Sequence, residues 1–196
     1  MIVGITGTIG AGKGTVVDYL VATRGFTHFS ARGFLERELR VRSLPPSRDN
    51  MKLVADDLRA QHESSYIIEQ LFAEASAVGG NAVIESVRTL GEASFLRERG
   101  VPLLAVDADR ALRYGRIAAR GLSTDDVSFE KFCMQEGAEL ASDDPNRQNI
   151  LGVMAAADYC IMNDSSLAVL HERVEAFLLQ YDGASAAAAS RPRRGK

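Results

Sequence analysis

Five short apolar runs punctuate the chain: "IVGITG" at residues 2–7, "FTHFS" at 26–30, "NAVIES" at 81–86, "VPLLAVDA" at 101–108 and "ADYCIMN" at 157–163. Stretches of helical pattern separate each run from the next. Strands that alternate with helices pair in parallel, because a right-handed crossover returns the chain to the same sheet and lays a helix over it. The expectation is an α/β fold of three layers, a five-stranded parallel sheet with helices on both faces. A chain of 196 residues holds one such domain and is too short for two ordinary ones.

Two intervals exceed what a crossover needs. Residues from about 31 to 80 read as a helical insertion with a turn at Pro45-Pro46, after which Asp49 or Asn50 caps the next helix. The second surplus, from about Gly121 to Arg147, carries Asp125, Asp126, Glu130, Glu136, Glu139, Asp143 and Asp144. Its "STDD" has the pattern of a capping box, and "DDP" sets an Asp cap before Pro145, so this segment also reads as helical. Charge alone makes it a solvated helix surface. From Gly183, "GASAAAASRPRRGK" is low in complexity and basic, so 183–196 is expected to be a disordered tail and 1–182 a single domain.

Hydrophobic residues make up 46% and charged residues 25%, and no apolar run approaches the roughly 18 residues of a membrane span. The first apolar run follows Met1 without a charged leader or cleavage pattern, which points to the cytoplasm. A net charge of -3 argues against a general nucleic-acid surface. Cys133 and Cys160 lie far apart with no CxxC, which suggests neither a disulfide framework nor a zinc site. His28, His62 and His171 share no motif and are assigned to packing or surface. All the basic residues except Lys13, Lys52, Lys131 and Lys196 are arginine, whose planar fork grips phosphate bidentately.

The first run leads directly into "GTIGAGKGT", in which Gly7 is followed, after an intervening four residues, by Gly12-Lys13, and "KGTVVDYLVAT" beyond it reads as a helix. That is the context a phosphate-binding loop requires. Glycines let backbone N–H groups turn toward phosphate oxygens, the helix N-terminus adds partial positive charge, and Lys13 adds a full one. Gly14 stands where the motif usually has Ser or Thr. Further along, Arg113, Arg116 and Arg120 fall on one helix face. Asp109 can pair with Arg113 at i+4, whereas Arg116 and Arg120 have no acid at that spacing and call for an external anion.

The loop "GTIGAGKGT" resembles that of adenylate kinase and its nucleoside monophosphate kinase relatives. The resemblance implies a P-loop NTPase fold, ATP as phosphoryl donor and Mg²⁺. On it, Gly7, Gly10, Ala11, Gly12, Lys13, Gly14 and Thr15 bind the ATP phosphates, with the Thr15 hydroxyl in place of the usual neighbour of the lysine. "ESVRT" stands at the end of the third run, where an acid faces the ligand crevice of an open α/β sheet. By resemblance, Glu85 holds magnesium through water and Arg88 grips the acceptor phosphate. "RIAAR" is similar to the start of the lid in these kinases, which makes Arg116 and Arg120 triphosphate clamps, sets Arg116 against adenine, and makes about 116–147 the lid, with Arg147 reaching in from its far side. "FSARGFLEREL" resembles the acceptor-binding stretch; Ser30 and Arg37 are its candidates and Arg32 is a rival. "ADYCIMNDSS" resembles the last strand and loop of dephospho-CoA kinases, where Asn163 meets adenine or simply caps the loop.

The expected activity is transfer of the γ-phosphoryl group of ATP to a nucleoside or deoxynucleoside monophosphate. Lys13, Arg88, Arg116 and Arg120 are its catalytic residues, with small-molecule nucleotides as partners and neither a specific nucleic acid nor a membrane among them. Dephospho-CoA kinases phosphorylate a hydroxyl and resemble one another in an Asp after the second strand, where this chain has Ser30. Hydroxyl phosphorylation of that kind is one alternative. A nucleotide-binding regulatory module without turnover is the other.

Overall fold

The computed structural model describes residues 1–120 and 128–189, with 182–189 described by their backbone alone. The "STDD" segment and residues 190–196 lie outside the described residues. Five strands, β1 (Ile2–Gly7), β2 (Thr27–Ser30), β3 (Ala82–Glu85), β4 (Leu103–Asp107) and β5 (Tyr159–Met162), form one sheet in the order β2-β3-β1-β4-β5. Every pairing is parallel. The chain leaves the central β1 first toward β2 and β3 and then toward β4 and β5, so the order reverses beside β1. A crevice opens at the C-terminal strand ends beside such a reversal.

Each strand of the sheet's middle feeds two cores, because successive side chains point to opposite faces. Val3, Ile5, Val83, Leu104 and Val106 pack with Val16, Val17 and Leu20 of α1 (Lys13–Arg24) and with Leu170, Val174 and Phe177 of α9 (Leu167–Ala189). Ala82, Ile84 and Leu103 pack on the other face with α2 (Ala31–Val41), α3 (Arg48–Gln61), α4 (Tyr66–Val78), α5 (Leu90–Glu98) and α8 (Ile150–Ala155). The remaining helices, α6 (Arg110–Arg120) and α7 (Phe129–Leu140), stand over the strand ends. This is the three-layer α/β arrangement that the alternating runs predict, and α2, α3 and α4 make up the insertion.

Three local expectations are corrected. Ser47, not Asp49 or Asn50, caps α3: in an extended conformation, its Oγ accepts the Asn50 N–H at 3.1 Å, while Asp49 already lies in the first helical turn. Pro145 opens no helix. Asp144 Oδ1 accepts the Asn146 N–H in a turn, and α8 starts only where Asn149 Oδ1 accepts the Gly152 N–H at 2.9 Å. At the far end the backbone of α9 stays helical past Gly183 as far as Ala189, over a run of alanines, the best helix formers.

Candidate active site

The phosphate loop is built by steric exclusion. Gly7 leaves β1 at φ 139°, and a β-carbon there would stand 1.9 Å from the Val106 carbonyl oxygen. Gly12, at φ 99°, is the N-cap of α1; a β-carbon on it would lie 2.3 Å from Asn163 Nδ2. Only glycine fits either place. No side chain caps α1, so its first N–H groups remain for a ligand. Gly14 differs from both, since a β-carbon there meets nothing within 4 Å.

The loop is braced from several sides. Lys13 Nζ donates to the carbonyls of Gly7 at 2.8 Å and Thr8 at 2.7 Å, and Arg113 Nη1 donates to that of Ile9 at 3.1 Å. Asn163 Nδ2 donates to the Ala11 carbonyl at 2.8 Å. In place of the adenine contact expected of it, the side chain of Asn163 is thus buried as a brace, and its carbonyl accepts from Arg116 Nη2 at 2.7 Å. Arg113 does not pair with Asp109. Its guanidinium turns inward to Glu136 and Asp107 and donates from Nε to the Ala108 carbonyl, while Asp109 accepts the first amides of α6.

A cleft of about 1010 Å³ opens over the strand ends. Across the sheet its lining runs from Ser30 and Arg32 after β2, through Glu85 and Arg88 after β3, to Gly7, Gly10, Gly12, Lys13, Gly14 and Thr15 after β1, and to Arg116 and Arg120 of α6, which follows β4. Ser30 also caps α2 by accepting the Gly33 N–H. Arg37 does not reach the cleft. It lies five positions beyond Arg32, about 140° around the helix, and pairs with Glu74 at 2.6 Å on the outer surface. Arg147 pairs with Asp144 and is likewise outside, whereas the neighbouring Gln148 lines the cleft.

Glu85 ends β3, and His28 Nε2 stands 2.9 Å from its Oε2. The two belong to adjacent strands at diagonal positions, since His28 pairs in register with Val83. Ser86 then takes φ 78°, a left-handed turn that carries the chain off the sheet so that Glu85 and Arg88 both face the cleft. Burial acts to raise the Glu85 carboxyl, but the His28 hydrogen bond and charge, with Lys13 and Arg88, more than offset it and hold the group below its usual range. Burial also pushes the Lys13 ammonium down to about 8, reinforced by the positive charge of Arg88 and opposed by Glu85 and Glu139.

Two acids of α7 face this cleft instead of solvent. Glu136 is 3% exposed and pairs with Arg110 and Arg113. Glu139 Oε1 accepts from Arg48 Nη2 at 2.7 Å and its Oε2 from Arg88 Nη1 at 3.3 Å. Arg88 Nη1 also donates to Gln148 Oε1 at 2.6 Å. Burial acts to raise the Glu139 carboxyl, and the charges and hydrogen bonds of Arg88 and Arg48 outweigh that and lower it. Beneath Arg88, the buried Glu92 binds the Arg88 and Thr89 amides through Oε2 and the Arg59 guanidinium through Oε1. Arg48, Arg59 and Glu92 are residues that sequence reasoning missed, and His28, which it assigned to packing or surface, stands beside Glu85. Only "TLGE", with the Thr-x-x-Glu spacing of a capping box, offered a signal, and it marks Glu92.

The profile of the AAA domain family matches residues 3–137. A UPF0200 protein of Thermococcus kodakarensis is 30% identical over 173 residues, spanning 85% of this chain and 90% of that one. Another, from Pyrobaculum aerophilum, is 28% identical over 182 residues, spanning 91% and 97%. Among solved structures, a shikimate kinase from Bacteroides thetaiotaomicron superposes with a TM-score of 0.58 at 13% identity, over 93% of this chain and 98% of that one. The match is one of fold, an α/β P-loop kinase-like architecture. With a family profile matched over residues 3–137 and a relative 30% identical over most of both chains, the chain belongs to the AAA domain family and to the UPF0200 proteins.

Proposed function

We propose that the chain is an ATP- and magnesium-dependent phosphotransferase whose acceptor is a nucleoside or deoxynucleoside monophosphate. The observation that carries this reading is the pair of guanidinium groups, Arg48 and Arg88, that converge on a single anion in the cleft that also holds Lys13. A phosphate acceptor is already a nucleophile, and needs charge neutralisation and in-line alignment more than a base. The kinase-like fold, named in one neighbour as shikimate kinase, supports phosphoryl transfer as the reaction class.

In this reading the amides from Gly10 to Thr15 and Lys13 hold the donor phosphates, and Arg116 and Arg120 stand at the rim over them. Magnesium keeps much of its water and takes one or two protein oxygens beside substrate phosphates. Glu85 and the Thr15 hydroxyl, both lining the cleft, fit that demand. Glu85 is a poor general base, since its neighbours hold it ionised with little proton affinity. Ser30 and Arg88 contact the acceptor, with Arg48 replacing Arg37 and Asn163 supporting the loop.

Arg88→Ala tests the assignment. Loss of a charge-assisted contact made to the acceptor alone raises the acceptor KM by about 10–100-fold, with ATP affinity unchanged. An unaltered acceptor KM would remove Arg88 from the acceptor site.

A further inference from the structure

Glu139 occupies the cleft as an anion held by two arginines from different parts of the chain. Arg48 opens α3 in the insertion, and Arg88 follows the left-handed turn after β3. Each guanidinium takes one oxygen of the same carboxylate. Gln148 Oε1 accepts from the same Arg88 Nη1 at 2.6 Å, and Gln135 Oε1 accepts from Arg48 Nη1 at 3.4 Å. Glu139 is 17% exposed at its side chain, so the ion pairs lie within the cleft wall and are only partly screened.

We infer that Arg48 and Arg88 form an anion subsite for the phosphate of a phosphate monoester, and that Glu139 is a tethered competitor for it, which the ligand must displace. The acceptor identity within this inference rests on the phosphoryl-transfer reading; the subsite itself does not. A tethered group acts at an effective concentration in the millimolar range. A carboxylate ligand offers the same single charge and the same two oxygens as Glu139, so exchanging one for the other gains nothing against that concentration. A phosphate monoester brings nearly twice the charge and a third terminal oxygen. Lys52 and Arg32 line the same cleft and add positive field there, that of Arg32 partly offset by its pair with Glu36. Glu139 therefore sets a threshold that phosphate exceeds and carboxylate does not.

The alternative role for Glu139 is a brace that stays in place and orients both arginines. The two roles differ in sign. A competitor lowers the affinity of every anion by the same factor, the fraction of time the subsite is open, whereas a brace raises it. The experiment is an NMR titration of the full chain, without ATP, using phenyl phosphate and benzoate as the probes. In the wild type, phenyl phosphate binds at least about tenfold more tightly than benzoate. Glu139→Gln tightens both by a similar factor, on the order of tenfold for a subsite that the tethered acid fills nine-tenths of the time. Arg48→Gln weakens phenyl phosphate by about tenfold or more.

Unchanged or weaker phenyl phosphate binding in Glu139→Gln would overturn the competitor role, as would tightening confined to phenyl phosphate, which is a field effect of the lost charge. Full affinity in Arg48→Gln would remove Arg48 from the subsite. If the binding pattern holds but no monophosphate is ever phosphorylated, the proposed reaction fails and the subsite stands. If monophosphates are phosphorylated without the pattern, the reverse holds.

Discussion

Lys13 carries opposite pH signatures for folding and for binding. Its ammonium loses a proton near pH 8 in the folded chain and near 10.5 when unfolded. Between those values the unfolded chain binds more protons, so this residue's contribution makes stability rise with pH across that window. Triphosphate binding runs the other way, because the charged form is the one that holds the anion. A group with a pKa near 8 is about nine-tenths deprotonated at pH 9. ATP affinity should therefore weaken about tenfold from pH 7 to pH 9, with proton uptake on binding, as measured by titration calorimetry in buffers of different ionisation enthalpy. Lys13→Arg, permanently charged, should flatten that dependence; a wild-type affinity independent of pH would contradict it. Gly14, by contrast, is an open position. Nothing in the fold demands glycine there, so the departure from the usual Ser or Thr is not a steric requirement.

Helix α5 shows how one element serves both stability and the site. Thr89 Oγ1 accepts the Glu92 N–H and Glu92 returns a bond to the Thr89 N–H, while the same carboxylate fixes the Arg88 amide and neutralises Arg59. Arg59 and Glu92 have side chains 2% and 0% exposed, so removing Glu92 leaves the buried Arg59 with only Asp56, 3.8 Å away and not hydrogen-bonded to it. Glu92→Ala should cost about 3–5 kcal/mol in urea unfolding; a loss within 1 kcal/mol would show that the pair is not holding α5 and the Arg88 turn. Much of this scale was legible in the sequence. The runs of β1, β3 and β4 read as strands because the middle of a parallel sheet is buried on both faces and leaves no polar alternation to obscure them, while β2 and β5 stand at its edges and are partly exposed. Caps were less legible. Ser47, Asp49 and Asn50 are all good capping residues, and which one serves depends on where the backbone turns helical, not on residue type: the chain turns at Arg42-Ser43 instead of at Pro45-Pro46, and Ser47 is the last extended residue before α3.

In the whole molecule, one cleft gathers the ends of β1 and β3, the first turn of α1, the insertion and α6 and α7. Lys13, Glu85, Arg88, Arg116 and Arg120 were readable because each sits close to a strand end or on one helix face, where topology fixes its direction. Arg37 was not, because its side lies on the far surface of an insertion helix whose packing decides which arginine turns inward. The pairing of Arg48 with Glu139, an acid that charge alone assigned to a solvated surface, was not legible for a different reason. Their contact joins residues 91 positions apart, and no local spacing encodes it. Among the described residues, no helix is long and apolar enough to cross a membrane. The measurement that tests the central claim most directly is ATP- and magnesium-dependent ADP release, with phosphorylated product identified, across ribo- and deoxynucleoside monophosphates, dephospho-CoA and shikimate. The arginine-lined subsite predicts turnover with one or more monophosphates and none with shikimate; turnover of dephospho-CoA or shikimate alone would contradict a phosphate acceptor.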